Sequence, residues 1–334
     1  MYLAPLNILF FFTLTLGTFL ALSSSSWFNA WAGLELNLLS FIPLLISSKS
    51  RYSSEAALKY FLIQALGSTL IIFSSALLLF SPTLFSISMA SALLLKLGAT
   101  PFHFWFTQIM ESLMWPQAII MMTIQKMAPI FLLAALKMSY NITWMLLLSS
   151  SLSAVVGALG GMNQTSLRKI MAFSSVNHMA WMLAASVISE VTLLLYFSLY
   201  CFISASVALM FSLQQSFHFS HIINQTTHFP AMKILIFSAL LSLGGLPPFM
   251  GFFPKWAVIQ NLLNMNLYLL LGVLLLSSLI TLYYYIRIMF SSLVILTPKL
   301  SLSPTNKKPL LIFYPAITAF NLLGLMVPCC FLMF

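Results

Sequence analysis

The chain has 334 residues, of which 61% are hydrophobic and only 5% are charged, and its formal net charge is +10. Because soluble domains carry roughly 25% charged residues, this composition cannot cover a water-facing surface and excludes a soluble globular protein. The basic residues are spread over short loops and form no domain-sized patch, so we expect no nucleic-acid partner.

Apolar stretches of membrane-spanning length follow one another along the whole chain. A helix needs about 20 apolar residues to cross a bilayer, so this pattern predicts an all-α polytopic membrane protein. The eleven predicted spans are 3–23, 27–47, 56–80, 84–106, 116–138, 143–161, 168–188, 190–214, 233–263, 267–296 and 310–333. The ninth and tenth spans are longer than a bilayer requires, which indicates tilted or interrupted helices.

The basic residues collect in the loops that follow the even-numbered spans. They are Lys49, Arg51, Lys59, Arg168, Lys169, Lys233, Arg287, Lys299, Lys307 and Lys308. The opposite side holds little beyond Lys137 and Glu190. The positive-inside rule therefore places the basic loops and the N-terminus in the cytoplasm or its organellar equivalent.

Charged side chains also occur inside the spans, where a charge at mid-bilayer costs at least about 2.5 kcal/mol on insertion scales. These residues are Glu35, Lys96, Lys126 and Lys255. Burial disfavours the charged form of such a group, so it can exchange protons near neutral pH, and we interpret the four as proton-handling residues. The alternative is a structural Lys–Glu pairing that fixes helix packing. Lys59 follows Glu55 by four residues near a span end, so an ion pair or snorkelling also explains it.

One motif interrupts both the fourth and the ninth span. It reads LGATPFHFWF at 97–106 and GGLPPFMGFF at 244–253, with Gly, Pro and Phe in matching positions. Gly and Pro unwind a span, and paired interruptions in two halves indicate an inverted-repeat transporter. Because the copies lie an odd number of spans apart, we predict two inverted five-helix repeats, 1–138 and 143–296, followed by a loop and a final membrane helix at 297–334. A chance match of two Gly–Pro motifs is the alternative.

The sequence contains no motif for binding flavin, nicotinamide or an iron–sulfur cluster. Cys201, Cys329 and Cys330 lie in apolar spans without ligand spacing. Three histidines lie between 218 and 228, where a hydrated loop is preferred to a metal site. We therefore expect neither a cofactor nor a metal in this chain.

Six motifs in order carry a resemblance to a known family. They are GLELNLLSFIPLL, EAALKYFLIQ, LLLKLGATPFHFWF, IQKMAPI, GGMNQTSLRKIMAFSSVNHMAWM and GGLPPFMGFFPKW. Over residues 7–290 the chain resembles the chain 2 family of mitochondrial NADH–ubiquinone oxidoreductase, in its invertebrate form. The resemblance implies an antiporter-like, proton-translocating membrane-arm subunit of respiratory complex I. It also implies the mitochondrial inner membrane, with the N-terminus on the matrix side.

The resemblance further implies partners and cofactors. The partners are other complex I membrane-arm subunits and phospholipids. NADH, FMN, iron–sulfur clusters and ubiquinone belong to other subunits of the complex, so the enzyme is an H⁺-translocating NADH:ubiquinone reductase whose redox centres lie outside this chain. The run FHFWFTQ departs from the family because Thr107 occupies a position where the family usually has proline. This difference concerns only the end of the fourth span.

The family motifs also assign roles to the buried charges. Glu35 matches the acidic residue that interacts with the lysine of the first broken helix, here Lys96. Lys126 matches the central lysine, and Lys255 matches the lysine of the second broken helix. Lys59 matches a further lysine with a less defined role. The resemblance thus implies one row of proton-transferring groups along the subunit.

A mechanism follows as a hypothesis. Protons enter from the matrix and load a buried lysine; when Glu35 moves away from Lys96, the ammonium loses its partner and releases a proton toward Lys126. His103 and His178 are candidate relays or water-organising groups, because unperturbed histidine titrates near pH 6.5. A hydrogen-bonded core histidine is the alternative for each.

Two other functions remain open at this point. A free-standing cation/proton antiporter would also use broken helices and buried lysines, but it should work alone. A purely structural membrane subunit would use its charges only for assembly, and their loss should affect assembly before turnover.

Overall fold

The computed structural model describes residues 5–46, 50–136, 140–225 and 230–294. Within these ranges the chain forms a bundle of α-helices. Their bounds are α1 Pro5–Ser23, α2 Trp27–Ile46, α3 Arg51–Leu77, α4 Pro82–Leu97, α5 Phe104–Ser112, α6 Trp115–Met122, α7 Ile124–Ala135, α8 Tyr140–Gly161, α9 Leu167–Ile188, α10 Glu190–Gln214, α11 Phe219–Gln225, α12 Pro230–Gly244, α13 Phe252–Asn264 and α14 Tyr268–Val294. The predicted eleventh span and several basic or metal-candidate residues lie outside the described ranges: Lys49, Lys137, His228, Lys299, Lys307, Lys308, Cys329 and Cys330.

The helices confirm the predicted all-helical, polytopic fold. Eight helical stretches of the described residues are long and apolar enough to cross a membrane, judged by length and composition. They are α1, α2, α3, α6 with α7, α8, α9, α10 and α14. The fourth and ninth predicted spans are the pairs α4–α5 and α12–α13, each interrupted at its Gly–Pro motif as predicted.

The fifth predicted span is also interrupted, which the sequence analysis did not predict. Thr123 separates α6 from α7 with non-helical backbone angles, φ −112° and ψ −82°. Its hydroxyl donates to the carbonyl of Ile119 at 2.7 Å. A threonine hydroxyl that bonds back to the preceding turn competes with the helix ladder, which is a weaker sequence signal than Gly or Pro.

Two helix pairs approach each other through glycine. A Cβ on Gly17 of α1 would lie 2.9 Å from the backbone nitrogen of Asn37 in α2. A Cβ on Gly157 of α8 would lie 2.6 Å from the backbone nitrogen of Asn177 in α9. Small residues of this kind let membrane helices pack backbone to backbone. A Gly–Asn backbone contact therefore joins α1 to α2, and an equivalent contact joins α8 to α9.

The loops that follow the even-numbered spans lie at one end of the bundle, which we call the basic end. Arginines of neighbouring helices bind the carbonyls of these loops. The Arg287 guanidinium donates to the carbonyls of Met162 and Gln164 at 2.5 and 3.0 Å. Arg168 donates to the Leu113 carbonyl at 2.7 Å. These bonds satisfy carbonyls beyond the helix ends, where intrahelical partners run out.

Candidate functional site

The first broken helix ends at Gly98, two residues after Lys96. Gly98 has φ +69°, a left-handed conformation that favours glycine and closes α4. The break deprives carbonyl groups of the N–H donors of a continuous helix. Side chains donate hydrogen bonds to these carbonyls instead. Trp105 Nε1 donates to Leu95 O at 3.1 Å, and Gln64 Nε2 donates to Lys96 O at 3.2 Å. The unwound backbone is thus satisfied inside the protein, as a membrane interior requires.

Lys96 is buried between α3 and α4, with 5% of its surface exposed. Its stem lies against Gly67, where an added Cβ would be 2.8 Å from Lys96 Cγ. Glu35 on α2 is half-buried and acts electrostatically on Lys96. Among the described residues no ion pair joins these two groups. Glu35 and Lys96 therefore interact electrostatically without forming a salt bridge.

Lys126 lies in the first turn of α7, just after the break at Thr123, and is 2% exposed. Its Nζ has no hydrogen-bond partner among the described residues. The ammonium instead lies 4.6 Å from the ring centroid of Phe106 and 5.6 Å from that of Tyr200. Aromatic faces attract a desolvated cation, which contributes about 2 kcal/mol when water is excluded. Lys126 is thus a buried lysine whose Nζ lies against aromatic rings and contacts no hydrogen-bond acceptor among the described residues.

Lys255 lies beside the second broken helix, which ends at Gly245 with φ +76°. Its Nζ donates to the carbonyl of Gly244 at 2.8 Å, one of the groups that the break leaves unpaired. The Nζ lies 5.9 Å from the ring centroid of Trp181. Like Lys96 on Gly67, the Lys255 stem lies on a glycine, with its Cδ 2.9 Å from where a Cβ of Gly245 would be. The two broken helices therefore present their lysines in similar ways.

His178 on α9 shares an aromatic neighbour with Lys126, because Tyr200 lies beside both side chains. Lys126 and Lys255 both act electrostatically on its imidazole. Its Nδ1 is 2.9 Å from the Tyr196 hydroxyl, and its ring centroid is 5.2 Å from that of Tyr200. A small cavity of about 10 Å³ borders His178 and both tyrosines, close to the size of a single water site. His178 thus lies among tyrosines close to Lys126, beside a space for one water molecule.

Lys59 and His103 are less closely joined to this row. Lys59 forms an ion pair with Glu55 at 2.7 Å, and the two side chains are 44% and 60% exposed. His103 caps α5 within the first break and is 8% exposed. Its ring lies 4.1 Å from the Phe104 ring, and its Nδ1 has no partner among the described residues. Both the relay and the core-histidine interpretations of His103 stay open.

A cavity of about 680 Å³ opens at the basic end. Its lining includes Glu55 and Lys59 of α3, Glu111 of α5, Arg168 of α9 and His218, which precedes α11. This cavity brings charged groups of both signs to the N-terminal end of α3. Among the described residues no three His, Cys, Asp or Glu side chains form a group that could hold a metal ion.

The sequence analysis missed several polar partners of the site. The Tyr60 hydroxyl donates to Gln125 Oε1 at 2.9 Å, and Gln125 Nε2 donates to Asn37 Oδ1 at 3.0 Å. Tyr196 and Tyr200 flank His178. A sequence signal existed for two of these residues, because Gln125 directly precedes Lys126 and Asn37 follows Glu35 by two positions.

Comparisons with known proteins identify the family to which the chain belongs. A family model described as NADH:quinone oxidoreductase/Mrp antiporter, TM matches residues 24–83 and 80–281. NADH-ubiquinone oxidoreductase chain 2 of Anopheles gambiae is 47% identical over 85% of this chain and 85% of its own length. The Locusta migratoria protein of the same name is 36% identical over 97% and 96%.

A solved structure shares the fold. A chain of respiratory complex I from Thermus thermophilus superposes with a TM-score of 0.82 and 24% identity, covering 97% of this chain and 78% of that one. At that identity the match supports the helical architecture, whereas the sequence relatives define the kinship. The chain therefore belongs to the NADH-ubiquinone oxidoreductase chain 2 family, within the NADH:quinone oxidoreductase/Mrp antiporter proteins.

Proposed function

We propose that this chain is a membrane-arm subunit of a proton-translocating NADH:ubiquinone oxidoreductase and that it moves protons through its row of buried charges. The observation that carries this function is the placement of three buried lysines beside three helix interruptions within the described ranges, with His178 and Lys126 sharing the neighbour Tyr200. Buried ionisable groups in a membrane are costly, and facing a proton path explains why a charge-poor chain keeps them.

The path runs along Glu35, Lys96, Lys126, His178 and Lys255. Protons enter from the basic end, where the large charged cavity supports uptake from water. As Glu35 moves away, the Lys96 ammonium loses its electrostatic partner, and its Nζ releases a proton that Lys126 Nζ accepts. His178 then carries the proton between Lys126 and Lys255, taking it on one ring nitrogen and releasing it from the other. His103 and Lys59 are secondary candidates along the same path.

The cellular setting belongs to the same proposal. The subunit lies in the mitochondrial inner membrane with its N-terminus and basic loops facing the matrix. Its partners are neighbouring complex I membrane-arm subunits and phospholipids, and no nucleic acid. The other subunits hold NADH, FMN, the iron–sulfur clusters and ubiquinone. Residues 1–138 and 143–296 form two inverted repeats, an assignment that the equivalent Gly–Asn helix contacts and paired breaks support.

Native separation of mildly solubilised inner membranes tests the assignment to the complex. We expect the chain to migrate in a large assembly that stains for NADH oxidation and contains many other subunits by mass spectrometry. Migration alone or as a small oligomer, without NADH oxidation, would contradict the proposal. That result would favour the free-standing antiporter, because an antiporter needs no redox partner.

A substitution at His178 tests the relay. We expect His178→Phe to reduce NADH-driven proton translocation by at least about 100-fold, since a positioned acid–base group contributes about 10²–10⁴-fold to a proton transfer. The matched control is Tyr196→Phe, which removes the hydrogen bond to Nδ1 but keeps both ring nitrogens. Translocation is measured in proteoliposomes at equal amounts of assembled complex. A core histidine predicts instead that both variants lose assembly and that translocation per assembled complex is unchanged.

A further inference from the structure

A partly buried cluster of amide and hydroxyl groups joins the helix of Glu35 to the helix of Lys126, and the path above does not use it. Gln125 on α7 accepts from Tyr60 on α3 at 2.9 Å and donates to Asn37 on α2 at 3.0 Å. We call Asn37, Tyr60 and Gln125 the amide tether. Asn37 and Tyr60 are buried, so neither can exchange its protein partner for bulk water.

The backbone that the tether holds has little support of its own. Thr123 interrupts the helix two residues before Gln125. Pro129 has no N–H, so the Gln125 carbonyl lacks its ordinary partner four residues later. Lys126 has no hydrogen bond through its Nζ among the described residues. The Gln125 side chain is therefore the polar attachment that holds the first turn of α7 against α2 and α3.

The other end of the tether lies close to the first charge of the row. Asn37 follows Glu35 by two residues on the continuous helix α2. No interruption of α2 separates the two residues, so they move as one segment. A displacement of α2 that moves Glu35 would also move Asn37.

We propose that Gln125 is a positioning residue that couples the Glu35 helix mechanically to the first turn of α7, which carries Lys126. Through the tether, a movement of α2 shifts the Lys126 backbone at the same time as it changes the charge beside Lys96. This inference rests on the proposed function and adds a mechanical link to the electrostatic one. Gln125 itself transfers no proton; it sets where Lys126 receives one.

The decisive variant is Gln125→Met, which keeps a long unbranched side chain and removes both hydrogen bonds. We expect the assembled complex to oxidise NADH while proton translocation falls by about tenfold, because misplacing a reacting group by about 1 Å costs up to about 100-fold. The readout is protons translocated per NADH oxidised, in proteoliposomes with equal complex content. A purely structural role would change assembly and leave this ratio alone.

Gln117→Met is the matched control. Gln117 is also a buried glutamine that bonds α2, through the Leu44 and Leu45 carbonyls at 2.6 and 3.2 Å, but it lies away from the lysines. We expect it to leave the ratio of protons to NADH unchanged. If Gln125→Met and Gln117→Met give the same ratio, the inference is overturned.

Two further variants keep the test decisive. Should Gln125→Met fail to assemble, Tyr60→Phe removes one tether bond and keeps the ring; a lowered ratio supports the inference and an unchanged ratio refutes it. Lys126→Met separates the two proposals. If it leaves translocation unchanged, the proposed proton path fails; if it abolishes translocation while the tether variants behave as the wild type, the positioning role alone fails.

Discussion

Replacing Lys96 with methionine should abolish NADH-driven proton translocation and leave the complex assembled. We expect a loss of at least about 100-fold, because the variant removes a group that must both accept and release the proton. Folding should tolerate the change, because Glu35 is only half-buried and forms no ion pair with Lys96 among the described residues, so the variant leaves no fully buried charge without its partner. Methionine also fills the space against Gly67 that the lysine stem occupies. Translocation is followed by the acidification of proteoliposomes during NADH oxidation.

The control for this experiment is Lys169→Met at the basic end. Lys169 pairs with Glu111 at 2.8 Å, and both side chains are partly exposed, so the pair contributes about 1 kcal/mol or less. We expect normal assembly and normal translocation. Unchanged translocation in Lys96→Met would refute the proton path. Loss of assembly before any loss of turnover would instead favour the purely structural subunit.

Adding one methyl group at Gly251 should prevent the second broken helix from forming. A Cβ at this position would overlap the carbonyl oxygen of Ser242. A backbone carbonyl of α12 cannot rotate aside as a flexible side chain does, so we expect a cost of about 3 kcal/mol, the upper end of typical overpacking. That corresponds to roughly a hundredfold change in an equilibrium constant. Gly251→Ala should therefore deplete the assembled complex on native gels.

Gly272→Ala is the matched control, because a Cβ at Gly272 would meet no atom within 4 Å. Alanine inside a helix is favoured over glycine by about 0.5–1 kcal/mol, so this variant should assemble normally or slightly better. Normal amounts of assembled Gly251→Ala complex would show that α12 and α13 do not pack as closely as the structure has them.

The broken helices illustrate how far local sequence signals extend. Gly98 and Gly245 each adopt the positive φ that glycine permits, and each sits in a motif with a following proline. The third interruption, at Thr123, has no such marker at the break itself and was missed. The start of α3 was also predicted five residues too late, because Ser50 caps the helix by accepting from the Ser53 backbone at 3.2 Å.

The site shows the same division. The sequence alone identified the buried charges, because a charged residue inside an apolar span is easily recognised. Only the packing distinguishes the two histidines: His178 is flanked by Tyr196 and Tyr200, and Tyr200 also contacts Lys126, whereas His103 contacts Phe104 at the first break. Lys59, equally visible in the sequence, forms a partly exposed ion pair at the edge of the large cavity.

The sequence by itself determined the fold class, the first ten spans, the identity of the buried charges and two of the three interruptions found in the described ranges. These features depend on hydropathy over about 20 residues and on local backbone preferences, which each segment carries alone. Tertiary structure decided which charges share a path and which amides support them. Tyr60 and Gln125 are 65 positions apart and Gln125 and Asn37 are 88 apart, so their contacts exist only once α2, α3 and α7 have become neighbours.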